Sequence, residues 1–304
     1  MEKILKGFVF LLIIVSVATF HLSAGAKEHK PAQNNTPRPD IIIGFSARSL
    51  KSVDIRDARA AIDLYVKELG REKGVTAEGY IYEDINVIMD KIKSREIDMA
   101  TISTIDYYNL RGKLDEELAY AGIRGEKMGH RYLILLRKKG HCDKIVDLKG
   151  MKFAITEDEM ARIYLDTLIF KDTGTWTNAF FSSIIKKKNF SQAVLSVFFK
   201  KADACVAADT VFETMKELNP QVGRQIKTLV SSPHIIDTVA LFKKDVDDDY
   251  KKRISRTAIN LHNTTRGRQI LLLFKLSRII EIKESDLKSS KTLIDEYNKL
   301  KWGR

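Results

Sequence analysis

Short apolar runs alternate with helical patterns along the first half of this sequence, and the alternation limits the folds that the chain can adopt. Ile41-Ile42-Ile43 is a β-branched run typical of a buried strand. Segment 56–69 follows with apolar residues at helical spacing, and the alternation continues as far as residue 122. This order predicts an α/β fold in which helices flank a parallel sheet.

The same criteria predict elements along the rest of the chain. Strands are predicted at 41–45, 75–82, 97–102, 117–122, 131–137, 152–155, 202–207, 229–232 and 238–243. Helices are predicted at 56–69, 85–94, 105–110, 160–172, 192–199, 250–263, 268–274 and 287–300. Asp84 and Ser191 are the predicted N-caps of the second and fifth of these helices. Segment 173–180 has no clear pattern, and from Asp245 onward only helices are predicted.

A six-residue pattern occurs once in each half of the chain. Two polar residues, an apolar residue and an aspartate precede a small apolar strand in both 95–100 (REIDMA) and 200–205 (KKADAC). The pattern predicts that the chain uses the same β-α-β unit twice.

The N-terminal segment 1–26 has the pattern of a secretory signal peptide. Lys3 and Lys6 precede an apolar block at 8–18, and small residues at 23–26 (SAGA) offer a cleavage site. The block is shorter than the roughly 20 residues of a membrane span, although an uncleaved membrane anchor is the alternative. We therefore expect a periplasmic or secreted protein, with 27–39 as a flexible leader. In such a compartment Cys142 and Cys205 could form a disulfide or remain two thiols.

The chain is basic, with a formal net charge of +12, of which 1–26 contribute +1. A basic chain can bind nucleic acid, an acidic membrane or an anionic ligand. Export argues against nucleic acid, and a solvated lysine-rich surface is the simpler explanation. The sequence lacks H-E-x-x-H, a nucleophile elbow, G-x-G-x-x-G and a P-loop. We therefore predict no enzyme, no metal site and no cofactor.

Several motifs in order resemble the periplasmic solute-binding proteins of the phosphonate-binding family. These are 41–46 (IIIGFS), 93–100 (KSREIDMA) with Tyr107 after it, 132–138, 147–154 (DLKGMKFA) and 231–233 (SSP). The resemblance covers about 41–300. It implies two α/β lobes of the type 2 periplasmic binding protein fold, a ligand in the cleft between them, and a monomer that works with an ABC transporter permease. The implied divisions are 40–130 plus 244–304 for the first lobe, 139–232 for the second, and hinge crossovers at 131–138 and 233–243.

The resemblance also implies where ligand contacts would lie. Its Ser-Thr-Ser-Gly run, which would bind phosphonate oxygens, falls on 160–163 (MARI), behind the acidic residues 157–159. Its Gly-Ser-His-Asp run falls on 188–191 (KNFS), and Ile85 stands where a tyrosine is expected. The candidate ligand-binding residues that remain are Ser46, Arg48, Ser103, Thr104, Tyr107, Thr156, Arg162 and Asp209.

Each candidate also has a structural explanation. Ser103 or Thr104 could cap a helix, Tyr107 could pack in the core, and Arg48 or Arg162 could pair with the acidic run. Three carboxylates beside a helix N-terminus satisfy its dipole and repel a dianion. We therefore expect a small polar ligand, which could be anionic but is not a simple phosphonate. The alternative is a sensory or protein-interaction module of the same fold that has lost its ligand.

Overall fold

The computed structural model describes residues 38–50, 55–71, 74, 76–110, 116–125, 128–140 and 142–303. The predicted signal peptide and nearly all of the predicted leader lie outside these residues. Within them, eleven strands form two mixed sheets with helices on their faces, so the predicted α/β class is confirmed. The strands are β1 (Ile41–Ser46), β2 (Ala77–Tyr82), β3 (Met99–Ser103), β4 (Glu116–Ile123), β5 (Tyr132–Arg137), β6 (Lys152–Thr156), β7 (Ser183–Lys187), β8 (Ala204–Ala208), β9 (Ile226–Ser231), β10 (Thr238–Lys243) and β11 (Arg278–Glu281).

The helices lie between these strands and pack on both sheets. They are α1 (Ile55–Arg71), α2 (Ile85–Lys93), α3 (Thr104–Leu110), α4 (Glu159–Thr173), α5 (Thr177–Phe180), α6 (Phe190–Phe198), α7 (Asp209–Leu218), α8 (Pro220–Gln225), α9 (Asp248–Asn260), α10 (Thr265–Leu273) and α11 (Lys288–Trp302). Short 3₁₀ helices occur at Ala47–Leu50, Ile145–Leu148, Leu261–Asn263 and Glu284–Leu287. The predicted N-cap Asp84 is confirmed, since its carboxylate accepts from Asn86 N at 2.9 Å.

The two sheets share a strand pattern. The first sheet has the order β11-β4-β10-β3-β1-β2, and the second has the order β7-β6-β8-β5-β9. In each, three parallel strands with the first one central (β2-β1-β3 and β7-β6-β8) are followed by an antiparallel strand, β10 or β5. This arrangement confirms the predicted double use of one β-α-β unit.

The six-residue pattern has the same local geometry in both units. Arg95 and Lys200 each end a helix in the left-handed region, with φ of 63° and 60°. Asp98 and Asp203 then accept a backbone N–H from the start of the central strand, from Ile42 and from Lys152, both at 2.8 Å. The shared aspartate therefore fixes the position of the central strand in each sheet.

Three sequence predictions differ from the structure. The C-terminal part is not purely helical, because β11 pairs antiparallel with β4 at the edge of the first sheet. Strand β7 was not predicted; it is a lysine-rich edge strand paired only with β6. Helix α6 begins at Phe190 and its N-cap is Asn189, whose side chain accepts from Gln192 N at 3.0 Å, so the prediction of Ser191 as the cap was wrong.

Two short segments run between the sheets, from β4 to β5 and from β9 to β10. They lie side by side, since His130 N donates to Ile235 O at 3.0 Å and Ile235 N donates to His130 O at 2.8 Å. Gly129, beside this pair, has a φ of +72°, and a Cβ atom there would lie 2.5 Å from Ile235 O. Glycine is therefore required at this position. We call these two stretches the crossing segments.

Both sheets belong to one compact unit, Pro39–Arg304. The last helix, α11, packs against α4, and its Leu293 and Ile294 join the core of the second sheet. The predicted lobe boundaries stay a prediction. The C-terminal helix, which was predicted to belong to the first lobe, contacts the core of the second sheet.

Candidate functional site

The edge where β1 and β3 end carries three of the predicted residues: Ser46, Arg48 and Ser103. Ser46 is buried at the end of β1, and its carbonyl accepts from Ser49 Oγ at 2.7 Å. Ser103 Oγ donates to Asp106 Oδ2 at 2.8 Å and accepts from Asp106 N at 3.1 Å, so it closes the first turn of α3. Arg48 Nη1 lies 3.0 Å from Asp106 Oδ1. Arg48 and Ser103 are thus engaged with Asp106.

The remaining candidates on α3 have structural contacts. Thr104 is fully buried, its Oγ1 donates to Ile236 O at 2.7 Å, and its backbone N–H donates to Asp237 O at 2.9 Å. Thr104 therefore joins α3 to the segment that enters β10. Tyr107 is buried in the apolar cluster on one face of the first sheet and contacts the Tyr108 ring edge-on.

The N-terminus of α4 is occupied by a carboxylate of the protein itself. Asp158 is its N-cap, and its Oδ1 accepts from Ala161 N at 2.7 Å and from Tyr132 OH at 3.0 Å. Thr156 Oγ1 accepts from Asp158 N at 3.3 Å. One of the backbone donors that could hold an anion at this helix end, Ala161 N–H, is thus taken by the protein's own carboxylate.

One ion pair connects the two sheets at this edge. Arg48 Nη1 lies 3.2 Å from Glu159 Oε2, and both side chains are about 40% exposed. Ile105 of α3 also packs in the apolar core of the second sheet. The first turn of α4 and the loop after β1 therefore face each other.

Two other candidates of the second sheet lie in different surroundings. Arg162 Nε donates to Asp166 Oδ2 at 2.9 Å and its Nη2 donates to Asn178 Oδ1 at 2.8 Å, whereas its neighbours Met160, Ala161 and Ile163 are buried in the core. Asp209 begins α7; its Oδ1 accepts from Thr210 N at 2.8 Å and its Oδ2 lies 3.2 Å from Arg131 Nε. The structure therefore does not bring Arg162 together with Ser46, Ser103 or Thr156.

A set of ionisable and aromatic residues that was not predicted gathers where the crossing segments meet α4. We call it the crossover cluster: Arg124, His130, Tyr132, Asp158 and Asp237. Arg124 Nη1 lies 3.9 Å from Asp237 Oδ2, and the His130 and Tyr132 rings meet edge-on with centroids 4.7 Å apart. His130 is 4% exposed, and its Nε2 atom has no hydrogen-bond partner within the described residues.

Charge and burial act together in this cluster. Burial raises the pKa of the Asp158 carboxyl group above its ordinary value, and the nearby Asp237 carboxylate raises it further. Burial also raises the pKa of Tyr132 well above its ordinary range, so its hydroxyl stays protonated and donates to Asp158. The cluster therefore places two carboxyl groups, Asp158 and Asp237, close together, with one arginine at its border.

The sequence belongs to a recognisable family. The family described as "ABC transporter, phosphonate, periplasmic substrate-binding protein" matches residues 54–287, more than three quarters of the chain. This chain is a member of the phosphonate-binding family. The resemblance inferred from the motifs is thus confirmed, and this family consists of transport proteins rather than enzymes. No curated protein matches the sequence at a significant level.

Solved structures with the same fold include members of this family. The binding protein component of an ABC phosphonate transporter from Pseudomonas aeruginosa has 13% identity and a TM-score of 0.61, with 87% of this chain and 88% of that chain covered. A Prochlorococcus marinus protein solved with methylphosphonate has 14% identity and a TM-score of 0.63, with 85% and 98% covered. A Xanthomonas citri protein solved with ATP has 11% identity and a TM-score of 0.62, with 86% and 98% covered. At these identities the likeness concerns the fold.

Other features of this family member concern metals, thiols and membranes. Across the described residues, no three His, Cys, Asp or Glu side chains are grouped to hold a metal ion, and no helix has the length and hydropathy to span a bilayer. Cys142 and Cys205 are both free thiols, which decides the question that their spacing left open. Burial raises the pKa of the Cys205 thiol, so it is an unreactive core residue.

The crossover cluster could have been found only in part from the sequence. Asp158 belongs to the acidic run 157–159, whose position before a helix predicted that carboxylates would satisfy its N-terminus. Arg124, His130 and Asp237 come from separate segments without a common motif, and only the pairing of the crossing segments brings them together. The eight predicted residues stay predictions as ligand contacts.

Proposed function

We propose that this protein captures a small polar ligand between its two sheets for an ABC importer, and that this ligand is not a phosphonate dianion. The observation that carries the proposal is the Asp158 carboxylate, 2.7 Å from Ala161 N at the start of α4. In the family resemblance, hydroxyls and helix N-terminal amides are expected near this point to receive an anion. Here a partly buried carboxylate already accepts one of those amides, Ala161 N–H.

Electrostatics support the exclusion of a dianion. A unit negative charge about 4 Å from a carboxylate is repelled by about 4 kcal/mol at an effective dielectric constant of about 20. That repulsion weakens binding roughly a thousandfold. Asp237 adds a second carboxylate close enough to raise the pKa of Asp158. A neutral or zwitterionic ligand avoids this repulsion.

Isothermal titration calorimetry of the full chain against methylphosphonate, 2-aminoethylphosphonate, phosphate and phosphite tests the proposal. We expect no binding at micromolar concentrations, while the Prochlorococcus marinus protein with methylphosphonate serves as the positive control. Micromolar binding of any of the four anions would contradict the proposal.

A matched pair of variants tests the cause of the exclusion. Asp158→Asn keeps an acceptor for Ala161 N–H and removes the charge, so we expect weak phosphonate binding to become stronger. Glu159→Gln removes a carboxylate that already faces Arg48 at 3.2 Å, so we expect a smaller change. Equal effects of the two variants would assign the exclusion to net charge rather than to the capping carboxylate.

A second function is supported by the same edge of the molecule. The N-terminus of α4 is capped by Asp158, Asp209 at the start of α7 is paired with Arg131, and Arg48–Glu159 spans the sheets. These contacts suit a sensory or protein-interaction module that no longer binds a small ligand. Small-angle scattering discriminates the two: a metabolite screen that compacts the protein supports transport, and a scattering curve unchanged by every metabolite supports the module.

The cellular partners follow from the proposed transport role. We expect a monomer in the periplasm that delivers its ligand to a permease, with no catalytic activity and no nucleic-acid partner. Size-exclusion chromatography with light scattering checks the monomer, and a dimer at micromolar concentration would contradict it. Neighbouring permease and ATPase genes would support transport, whereas a neighbouring kinase or cyclase gene would support sensing.

A further inference from the structure

A cavity of about 100 Å³ lies within the first sheet's side of the molecule, next to the crossover cluster. Its walls include Phe45, Tyr65, Tyr120, Ala240, Leu271 and Leu276. The first five of these residues belong to one buried apolar cluster, and Leu276 packs against it. The cavity therefore occupies the core beneath α1 and α10.

The two tyrosine hydroxyls among the walls of the cavity are hydrogen-bonded to each other. The hydroxyls of Tyr65 and Tyr120 are hydrogen-bonded at 3.0 Å, and Tyr120 OH also donates to Met99 Sδ at 3.2 Å. Burial raises the pKa of Tyr65 to about 12, so the phenol stays neutral at ordinary pH. The apolar walls gain contacts when an apolar group enters the space between them.

One end of the cavity is charged. Arg124 and Asp237 line it there together with Ser49, Thr101 and Thr238. The Arg124 and Asp237 side chains are each about 30% exposed, and their closest charged atoms are 3.9 Å apart. Asp158 lies near enough to Asp237 for that carboxylate to raise its pKa. A cation-binding and an anion-binding group thus lie together at the mouth of an apolar space.

We propose that this cavity receives the apolar side group of a small zwitterion, an aliphatic α-amino acid or a molecule of the same chemistry. Its ammonium group lies against Asp237 and its carboxylate lies against Arg124. The inference rests on the proposed function, because it names the ligand class of the same site. It explains why a carboxylate-rich cluster and an arginine occur side by side where a dianion is disfavoured.

The volume of the cavity limits the size of the ligand's apolar side group. The volume of about 100 Å³ is smaller than the ~150 Å³ cavity that binds benzene. A short branched aliphatic group therefore fits better than an aromatic ring. Glycine and alanine leave the cavity largely empty.

The first test needs no ligand. Ala240→Val adds two methyl carbons in a buried strand position that lines the cavity, whereas Ala100→Val adds them to the opposite face of the same sheet, in a packed cluster. We expect the melting temperature of Ala240→Val to equal or exceed that of the unmodified protein, and that of Ala100→Val to fall. Equal falls for the two variants would overturn the inference, because no free space would then exist at Ala240.

The second test measures binding by calorimetry on the full chain. The probes are L-leucine, L-valine and glycine, with 3-methylbutylamine and 4-methylpentanoate as analogues that lack one charged group of leucine. We expect L-leucine or L-valine to bind at least about tenfold tighter than glycine, as an added hydrocarbon group in a pocket allows. Each analogue, and the variants Asp237→Asn and Arg124→Gln, should lose at least about tenfold in affinity for the same probe.

The outcomes separate this inference from the proposed function. Absence of binding by L-leucine and L-valine at millimolar concentration overturns the inference. Binding of another polar ligand with an affinity unchanged in Ala240→Val also overturns it, while the proposed function stands. Micromolar binding of methylphosphonate overturns both.

Discussion

The two sheets have the same strand pattern but use their facing edges differently. On the second sheet, Tyr132 fills the edge: its ring stacks with Tyr164 at 6.1 Å between centroids, and its hydroxyl donates to Asp158. On the first sheet, a cavity of about 100 Å³ remains beside Arg124 and Asp237. One backbone pattern thus supports an edge closed by the protein's own groups and an edge beside which a cavity remains. Function in this fold therefore depends on the side chains at the strand ends rather than on the sheets.

The largest expected effect comes from removing the Tyr132 side chain, which fills the edge of the second sheet. Tyr132 is fully buried between Tyr164, Phe190 and His130. Tyr132→Ala should lower the free energy of unfolding by about 3–5 kcal/mol, the usual range for removing a buried aromatic side chain. Urea unfolding followed by fluorescence measures it.

The matched variant is Tyr132→Phe, which keeps the ring and removes the donor to Asp158. We expect it to lower the free energy of unfolding by about 1–2 kcal/mol, because a buried acceptor loses one partner. A loss below about 1 kcal/mol for Tyr132→Ala would show that this edge is not closed by packing.

The cap at α4 gives an intermediate effect. Asp158→Ala removes the acceptor of Ala161 N–H and should lower the free energy of unfolding by about 1–2 kcal/mol at neutral pH. Asp158→Asn keeps an acceptor and should come close to the unmodified protein or exceed it. Thermal unfolding of the unmodified protein and the two variants in the same buffer measures their order of stability.

The pH dependence of that comparison has a definite sign. The folded-state pKa of Asp158 is raised above the ordinary value of 3.8, mainly by burial. Its contribution to stability is therefore complete below that ordinary value and is lost as pH rises through the folded-state pKa. The stability of Asp158→Asn relative to the unmodified protein should rise from about pH 4 toward neutral pH. Parallel stability curves for the two proteins would contradict this expectation.

The smallest expected effect concerns the ion pair between the sheets. Arg48 and Glu159 are both about 40% exposed, so solvent screens their interaction. A double-mutant cycle with Arg48→Met and Glu159→Gln should give a coupling energy of about 0.2–1 kcal/mol that declines in high salt. Because Arg48 also contacts Asp106, the cycle and not the single Arg48 variant isolates the pair. A coupling well above that range would mean that this contact holds the two edges together.

The local pattern of the sequence predicted most of the fold. Helices α1 and α2 follow from local periodicity, because each buries one regular face. The central strands follow from their continuous apolar runs, and Asp98 and Asp203 follow from the repeated six-residue pattern. Strand β11 did not follow, since Ile279 and Ile280 are its only two apolar residues and its identity depends on pairing with β4. Pairing at a sheet edge depends on a partner strand that is distant in sequence, so a short stretch of sequence does not reveal it.

The candidate site was less predictable than the fold. The acidic run before α4 predicted the capping role of Asp158, because helix capping depends on residues that are neighbours in sequence. The cavity and the Arg124–Asp237 pair depend on how α10 and the crossing segments pack on the first sheet. Hydroxyl residues such as Ser103 and Thr104 were ambiguous for the same reason: their partners, Asp106 and Ile236 O, determine their role.

The paired crossing segments have a mechanical consequence. The two crossing segments are joined by the His130–Ile235 hydrogen bonds. They resist twisting of one sheet relative to the other, because twisting would separate the bonded groups. Bending across the pair leaves both bonds intact. We therefore expect the relative motion of the sheets to have one soft direction, so that a ligand of few atoms needs to restrain only a single degree of freedom.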